Sequence, residues 1–508
     1  MAENKPKVRV RFAPSPTGFL HIGGLRTALY NYLFAKHEGG DFILRIEDTD
    51  RTRFVEGGIE NIIRTLNWAG LEYDEGPYLK DGQIEQKGGY GPYIQSERLT
   101  IYKKYAAELV KKDRAYYCFC APERLEEVRH EQMAKKQPTM YDGHCKRLPK
   151  QEIERLLSEG KPCVLRLNVP DEGETVFNDL IRGEVRFKNK LIDDQVLLKS
   201  DGHPTYHLAN VVDDHLMKIT HVIRAEEWLS STPKHVLLYE AFDWALPQFA
   251  HLPLLLNSDR SKLSKRQGDV AAEDYARKGY LREALVNFIA LLGFNPSASQ
   301  EIYGMDELIA KFDLTKVNKT GAVFNPEKLD WLNGEYIRQT EEDVFTGMCL
   351  PYLESANLIL RKGKKIFAAA AKAEIKKEQL AAILNLSKDR LAKLEDIVYE
   401  SKFFFEDKLD FPAETLLWKG AGTKKTKQIM EASAVFVKKL AKKDFTKEIL
   451  EEKIIAYIKE TKQKNGDVLW PMRVALSGRA KSPGPFEIAA ILGKDAVLKR
   501  LEDAAEKL

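Results

Sequence analysis

Three short stretches of this chain hold residue types that can do chemistry. The first is RFAPSPTGFLHIGG at 11–24, where His21 stands at the entrance of a helix and Gly23 and Gly24 let a ligand approach the backbone. Backbone N–H groups converge at a helix start, and the helix dipole adds partial positive charge there, which suits a phosphate. The second is DRSKLSKRQG at 259–268, where Lys262 and Lys265 flank a serine in a polar loop. Two such lysines can close over a triphosphate and stabilise charge developing on it. Alone, an HxGG is more often a packing turn and a basic loop is more often surface. Together, some 240 residues apart and bracketing an α/β pattern, the two motifs are much more specific. The third stretch is Cys118-Phe-Cys120 followed by Cys145. It offers three soft ligands, whereas Zn²⁺ normally takes four in a closed tetrahedral site. Three cysteines kept without a metal are the competing reading.

These residues need elements to hold them. Residues 7–13 (KVRVRFA) alternate and are rich in Val and Phe, which predicts a first strand. The loop at 14–24 follows it. Helical spacing then begins at Gly24, with Leu25, Ala28, Leu29, Tyr32 and Leu33 on one face and Gly39-Gly40 as the stop. DFILRIED (41–48) predicts a second strand, and Ile59, Ile62, Ile63 and Leu66 mark a second helix. Strand, Gly-rich turn, helix, strand, helix is the opening of a parallel α/β sheet. Residues 116–205 differ: four of the five cysteines and several turn dipeptides lie there, with short strands such as 163–169 and 184–188. They predict an inserted α+β subdomain. Alternation resumes at 205–216 and 220–228, and after about residue 330 the spacing is nearly all helical.

Composition sets the outer bounds. A 508-residue chain, 44% hydrophobic and 31% charged, is neither disordered nor collagen-like and is long enough for about three to five domains. No apolar run approaches the roughly 18–20 residues that a membrane span needs, and no secretory h-region is visible at the start. Five sparse cysteines fit a reducing compartment rather than a disulfide scaffold. A cytoplasmic protein is expected. Charge is uneven: residues 331–508 carry a net +6, the rest −2, and 419–443 hold eight lysines against one acid, Glu431. Such a basic back end fits a polyanion-binding domain, though a solvated helix surface is the plainer reading.

The motifs resemble those of a known family. PSPTGFLHIGG looks like the "HIGH" region of class I aminoacyl-tRNA synthetases, and KLSKR (262–266) looks like their "KMSKS" loop. FILRIEDTDR (42–51), GPYIQSER (91–98), LLKSDGHPTYHLANVVDDHLM (197–217), VIRAEEWLSSTPKH (222–235) and ALSGRAKSPGPFEIAAILG (475–493) resemble bacterial-type glutamyl-tRNA synthetases in particular. Gly24 stands where the class motif has a second His, and Arg266 where it ends in Ser. Both are usual in this subfamily. The resemblance implies a Rossmann-type parallel-sheet catalytic domain in two halves (1–115 and 206–255), with an acceptor-stem-binding subdomain inserted at 116–205. It further implies a stem-contact region at 256–330 and an all-α anticodon-binding region at 331–508.

The implied reaction joins glutamate to AMP with release of pyrophosphate, then moves it to the 3′-terminal adenosine of tRNA-Glu. ATP with Mg²⁺, L-glutamate and tRNA-Glu are the expected partners, and a monomer is expected. His21, Lys262 and Lys265 form the electrostatic group. Thr17, Gly18, Gly23 and Gly24 join them around ATP. Glutamate's two carboxylates call for guanidinium forks and its ammonium for an acid. Arg11 and Arg224 are the candidate forks, with Arg11 first choice for the γ-carboxylate, and Glu47 is the ammonium partner. Ser15, Tyr206 and Asn210 join them by similarity to the family. Some relatives bind zinc in the inserted subdomain with this cysteine spacing. Arg147 occupies the place of their fourth ligand, a His, and cannot ligate. Tyr141, four residues before Cys145, matches the ligand used by a paralogous family, and His144 is a further candidate. Four other readings share parts of the pattern. They are an enzyme that also charges tRNA-Gln, a short paralogue that modifies a base of tRNA-Asp, a non-catalytic tRNA-binding pseudo-synthetase and a cytidylyltransferase-like nucleotide transferase.

Overall fold

The computed structural model describes residues 6–50, 52–263, 271–297, 299–363, 365–370 and 372–508. They form two compact units: residues 1–276 with 282–326, and residues 277–281 with 327–508.

The first unit is built on a parallel sheet. Strand β1 (Arg9–Phe12) is wholly buried, and helix α1 (Ile22–His37) follows it. Strand β2 (Asp41–Leu44) then pairs with β1 in parallel, setting Arg11 opposite Ile43. Helix α2 (Gly58–Trp68) buries Ile59, Ile62, Ile63 and Leu66, the face that its spacing predicts. On the far side of β1 lies the strand His221–Ala225, tied by Thr220 N–H to the Arg9 carbonyl at 2.9 Å. Its parallel neighbour is Gln248–Leu252, with Arg224 directly opposite His251. The strand Glu174–Asp179 joins this sheet through Phe249 and Asp179, and it pairs antiparallel with Gly183–Lys188. A separate antiparallel sheet, Ala115–Cys118 with Val164–Leu167 and Val196–Leu198, carries the cysteine cluster at its edge. The helix Tyr206–Leu216 packs Leu208, Ala209, Val211 and Val212 into the core and buries Asn210, Asp213 and Asp214 on the same element.

The second unit is helical, with long helices at Thr423–Lys439, Lys447–Glu460, Asn465–Ser477 and Pro485–Glu506 around a core that includes Met430, Ile454, Met472 and Leu501. The helical expectation needs one addition. A small antiparallel sheet, Ile359–Lys362, Lys365–Ala368 and Glu374–Ile375, interrupts the helices. Gly363, at φ +61°, supplies the left-handed turn residue beside its first strand. Among the described residues, no helix is long and apolar enough to cross a membrane.

Candidate active site

The HIGG turn is shaped by one hydrogen bond and one close contact. His21 is extended (φ −93°, ψ 164°) and caps α1 through its side chain. Its Nδ1 accepts the Gly24 N–H at 3.1 Å. The imidazole proton then belongs on Nε2, a tautomer inferred from the hydrogen bond. A Cβ at Gly24 would sit 2.7 Å from Leu20 Cδ1, and one at Gly23 would sit 3.1 Å from the His21 ring. Leu20 is buried, so a side chain at position 24 would require Leu20 to shift. The first turn of α1 opens onto a cavity of about 500 Å³ lined by Ser15, Thr17, Gly18, His21, Gly23, Gly24 and Lys262, where the N–H groups of a helix start can meet a phosphate. Lys262 is ion-paired with Glu227, another lining residue. Lys265 lies outside the described residues.

Arg11, Glu47, Tyr206, Asn210 and Arg224 line the same cavity. The strand end brings Arg11 there, and the turn after β2 brings Glu47, whose N–H is held by the Pro14 carbonyl at 3.0 Å. Arg11 is buried against Asp214, with Nε 3.0 Å from Oδ1 and Nη2 3.3 Å from Oδ2. Arg45 binds the same carboxylate at 2.7 Å and Glu47 Oε1 at 3.0 Å. With its amide oxygen turned to the guanidiniums, Asn210 accepts from Arg11 at 3.3 Å and from Arg45 at 3.1 Å. Burial alone pushes the Asp214 carboxyl up, but Arg11 and Arg45 hold it below the usual carboxylate range. At Glu47 the balance goes the other way. Burial raises its pKa by more than Arg45 and Arg11 lower it. Its Oε2 makes no hydrogen bond among the described residues, so one acceptor oxygen is left for a ligand cation.

Arg224 is held differently. Its Nε donates to His251 Nε2 at 3.1 Å, Nη1 to Tyr206 Oη at 2.9 Å and His235 Nδ1 at 3.2 Å, and Nη2 to Thr232 Oγ1 at 2.9 Å. The fifth donor makes only a 3.5 Å contact with the Trp228 carbonyl. All these partners are neutral, and among the described residues no carboxylate lies within ion-pairing distance. Tyr206 accepts from Arg224 and its own proton has no acceptor there; its ring lies 4.1 Å from that of Trp228. Sequence reasoning missed Arg45, Asp214, Glu227, His235 and His251. Signals were present: Asp213-Asp214 inside an apolar helix and His251 inside an apolar run both demand buried partners.

The cysteines meet as well. The Sγ atoms of Cys118, Cys120 and Cys145 all lie within 4.8 Å of one another. Tyr141 Oη is 3.4 Å from Cys118 Sγ and 3.3 Å from Cys120 Sγ, and Cys120 and Cys145 Sγ are 3.5 Å apart. Ligands on a tetrahedral Zn²⁺ at about 2.3 Å lie about 3.8 Å apart, so this donor set fits. His144 is exposed and stands outside the cluster. Arg147 donates to the Asp142 carbonyl at 3.4 Å.

Comparison with known proteins shows the family. Residues 7–331 match the family described as "tRNA synthetases class I (E and Q), catalytic domain", and residues 345–505 match an anticodon binding domain. The glutamate–tRNA ligase of Clostridioides difficile (strain 630) is 46% identical, over 97% of this chain and 98% of that protein. That of Alkaliphilus metalliredigens (strain QYMF) is 46% identical over 99% of both. The solved glutamate–tRNA ligase of Elizabethkingia meningosepticum CCUG26117, in complex with its amino acid, superposes with a TM-score of 0.85 at 40% identity, covering 98% of this chain and 99% of that one. The alternative functions draw no support from these comparisons. Through both matched domains and nearly its full length, the chain belongs to the bacterial glutamate–tRNA ligases among the class I aminoacyl-tRNA synthetases, ligases that activate glutamate with ATP and join it to tRNA.

Proposed function

We propose that this pocket forms glutamyl-adenylate from glutamate and Mg²⁺-bound ATP and passes the glutamyl group to the terminal adenosine of tRNA-Glu. The observation that carries the reading is the meeting of a phosphate-type helix start with two buried arginines and one buried acid in one cavity. The α-carboxylate of glutamate attacks the α-phosphorus, and the bond to the departing pyrophosphate oxygen breaks. A ribose hydroxyl of the tRNA then attacks the activated carbonyl and AMP leaves. No covalent enzyme intermediate is needed, so the protein positions the reactants and neutralises charge. His21, Lys262 and Lys265, with the backbone at Thr17, Gly18, Gly23 and Gly24, hold the triphosphate. Glu47 takes the ammonium, with Ser15 and Asn210 beside it.

The two arginines divide the carboxylates by their own ion pairing. Arg11 is already compensated by Asp214, which suits the α-carboxylate, because a nucleophile held by an uncompensated cation would be over-stabilised before it attacks. Arg224 has only neutral partners. With the Tyr206 hydroxyl it takes the γ-carboxylate, reversing the order that sequence reasoning prefers. Glutamine there would leave this charge unmatched in a buried pocket, the kind of mismatch that gives discrimination of about 10⁴-fold without editing. In tRNA-dependent ATP–pyrophosphate exchange, Arg224→Gln is expected to raise the glutamate KM by about 10²-fold and to erode glutamine rejection. Unchanged values in Arg224→Gln, with the loss appearing in Arg11→Gln instead, would return the γ-carboxylate to Arg11.

Cys118, Cys120, Cys145 and Tyr141 are assigned to a structural Zn²⁺, which would tie the Ala115–Cys118 strand to the turn at Cys145 and takes no part in the reaction. Segments 116–205 and 256–330 face the acceptor stem and 331–508 the anticodon arm of the tRNA. A monomer acting in the cytoplasm completes the reading.

A further inference from the structure

Arg224 sits at the centre of a chain of hydrogen bonds that runs across three neighbouring strands and two helices. Asp179 ends one strand, His251 faces Arg224 in register on the next, His235 lies on the helix Thr232–Ala241, and His207 on the helix Tyr206–Leu216. Asp179 Oδ2 is 2.6 Å from His251 Nδ1, and both side chains are fully buried. A carboxylate only accepts, so the His251 proton is on Nδ1 and its Nε2 is left to accept from Arg224 Nε. On the other side His235 Nδ1 accepts from Arg224, which puts its proton on Nε2, 3.1 Å from His207 Nδ1. The direction of every bond in the chain therefore follows from Asp179 at one end and Arg224 in the middle.

We propose that Asp179, His251 and His235 are positioning residues for Arg224: they present it with neutral acceptors in fixed tautomers, so that the guanidinium is held rigidly while its charge stays available for the substrate carboxylate. A carboxylate in place of either histidine would hold the arginine equally well but would cancel the charge that selects glutamate. A histidine in the wrong tautomer would set N–H against N–H. Burial keeps the rings neutral: it depresses His251 to about 4 against the opposing pull of Asp179, and His207 to about 3. His235 is driven well below the usual range by burial and by Arg224 itself. The inference rests on the reading of Arg224 as the γ-carboxylate fork.

Asp179→Asn separates positioning from structure. Asp179 Oδ1 accepts from the backbone N–H of Ile181 at 3.0 Å and Arg182 at 2.9 Å. An asparagine keeps its oxygen on those donors and turns its NH₂ toward His251 Nδ1. That forces the His251 proton onto Nε2, against Arg224. The expected result in tRNA-dependent pyrophosphate exchange is a glutamate KM raised about 10- to 100-fold, weaker rejection of glutamine and an ATP KM within about twofold of wild type. Nitrogen-15 spectra of the imidazole should show the proton moved from Nδ1 to Nε2. An unchanged glutamate KM in Asp179→Asn, beside a raised one in Arg224→Gln, overturns the positioning alone. An unchanged KM in Arg224→Gln overturns the fork reading and the positioning with it. Should Asp179→Asn fail to fold, His251→Gln and His251→Phe give the same decision, since glutamine can still offer an oxygen to Arg224 and phenylalanine cannot. The glutamate KM of the Phe variant is expected to exceed that of the Gln variant by about tenfold, and equal values overturn the inference.

Discussion

At the scale of single residues, the site is governed by which charges are already paired and which are left for the substrate. Glu47 makes this testable by pH. Its carboxyl is raised by burial beyond what Arg45 and Arg11 take back. It therefore gains its proton, and loses its attraction for an ammonium, at a higher pH than the ~4.3 of a free glutamate side chain. Catalytic efficiency for glutamate is expected to fall on acidification through that raised value. Glu47→Gln should show a high KM at every pH and no such acid limb. A limb that persists in Glu47→Gln would assign it to another group. Lys265→Ala carries the corresponding nucleotide-side prediction. Activation should drop by about 10²-fold or more, as for loss of one preorganised charge stabiliser, with the unfolding temperature unchanged. Near wild-type pyrophosphate exchange in that variant, measured with tRNA present, would remove Lys265 from the site.

At the scale of elements, α1 and the helix Tyr206–Leu216 do most of the positioning. Gly24→Ala would press its Cβ against buried Leu20. A cost of about 1–3 kcal/mol is expected from such overpacking, together with a raised KM for ATP; Leu20→Ala in the same chain should restore part of the ATP KM and should cost less stability there than in the wild-type chain. If Gly24→Ala alone leaves the ATP KM and the stability untouched, the turn is less tightly packed than its geometry indicates. Asp214 joins the helix to β1 and to the residue after β2 by holding Arg11 and Arg45 together. Asp214→Asn leaves two buried guanidiniums with one carboxylate fewer, and a loss of about 3–5 kcal/mol is expected in denaturant titration. Much of this frame is legible in the sequence. Alternation at 7–13 and the 3.6-residue spacing after Gly24 locate these elements near their expected bounds, β1 at Arg9–Phe12 and α1 at Ile22–His37, but not their burial: every residue of β1 is buried, and α1 buries Arg26, Tyr30 and Asn31 beside the face that its spacing predicts. The candidate residues from Arg11 to Arg224 stand out because Arg, Glu and His beside Gly-rich turns are chemically conspicuous. Their partners are harder to read. Asp214 lies 203 residues from Arg11 and Asp179 lies 72 from His251, and no local pattern records such a pairing. The sheet at 359–375 is hidden for a different reason, since its short strands share the Lys, Ala and Ile composition of the helices around them.

At the scale of the molecule, the first unit carries most of the catalytic-domain match and the second unit the anticodon-binding match. If Cys118, Cys120, Cys145 and Tyr141 hold zinc, elemental analysis of purified protein should find close to one equivalent, lost in Cys120→Ser. A metal-free preparation that is folded and fully active would leave the cysteines as packing. In the second unit, the helix Thr423–Lys439 exposes Lys424, Lys425, Lys438 and Lys439. Lys438→Glu with Lys439→Glu is expected to raise the KM for tRNA and to flatten its dependence on salt, since a side chain that no longer neutralises a phosphate displaces no counterion there. The glutamate KM should not change. If neither the tRNA KM nor its salt dependence moves, these lysines form a solvated face and nothing more. The kinetic effects depend on one activity, and it can be measured directly by incubating purified tRNA-Glu and tRNA-Gln side by side with ATP, Mg²⁺ and labelled glutamate or labelled glutamine. Glutamate esterified to tRNA-Glu is expected, with glutamine incorporated about 10⁴-fold less efficiently. No labelled tRNA-Glu, or equal labelling by the two amino acids, would contradict the assignment of this pocket to glutamate activation.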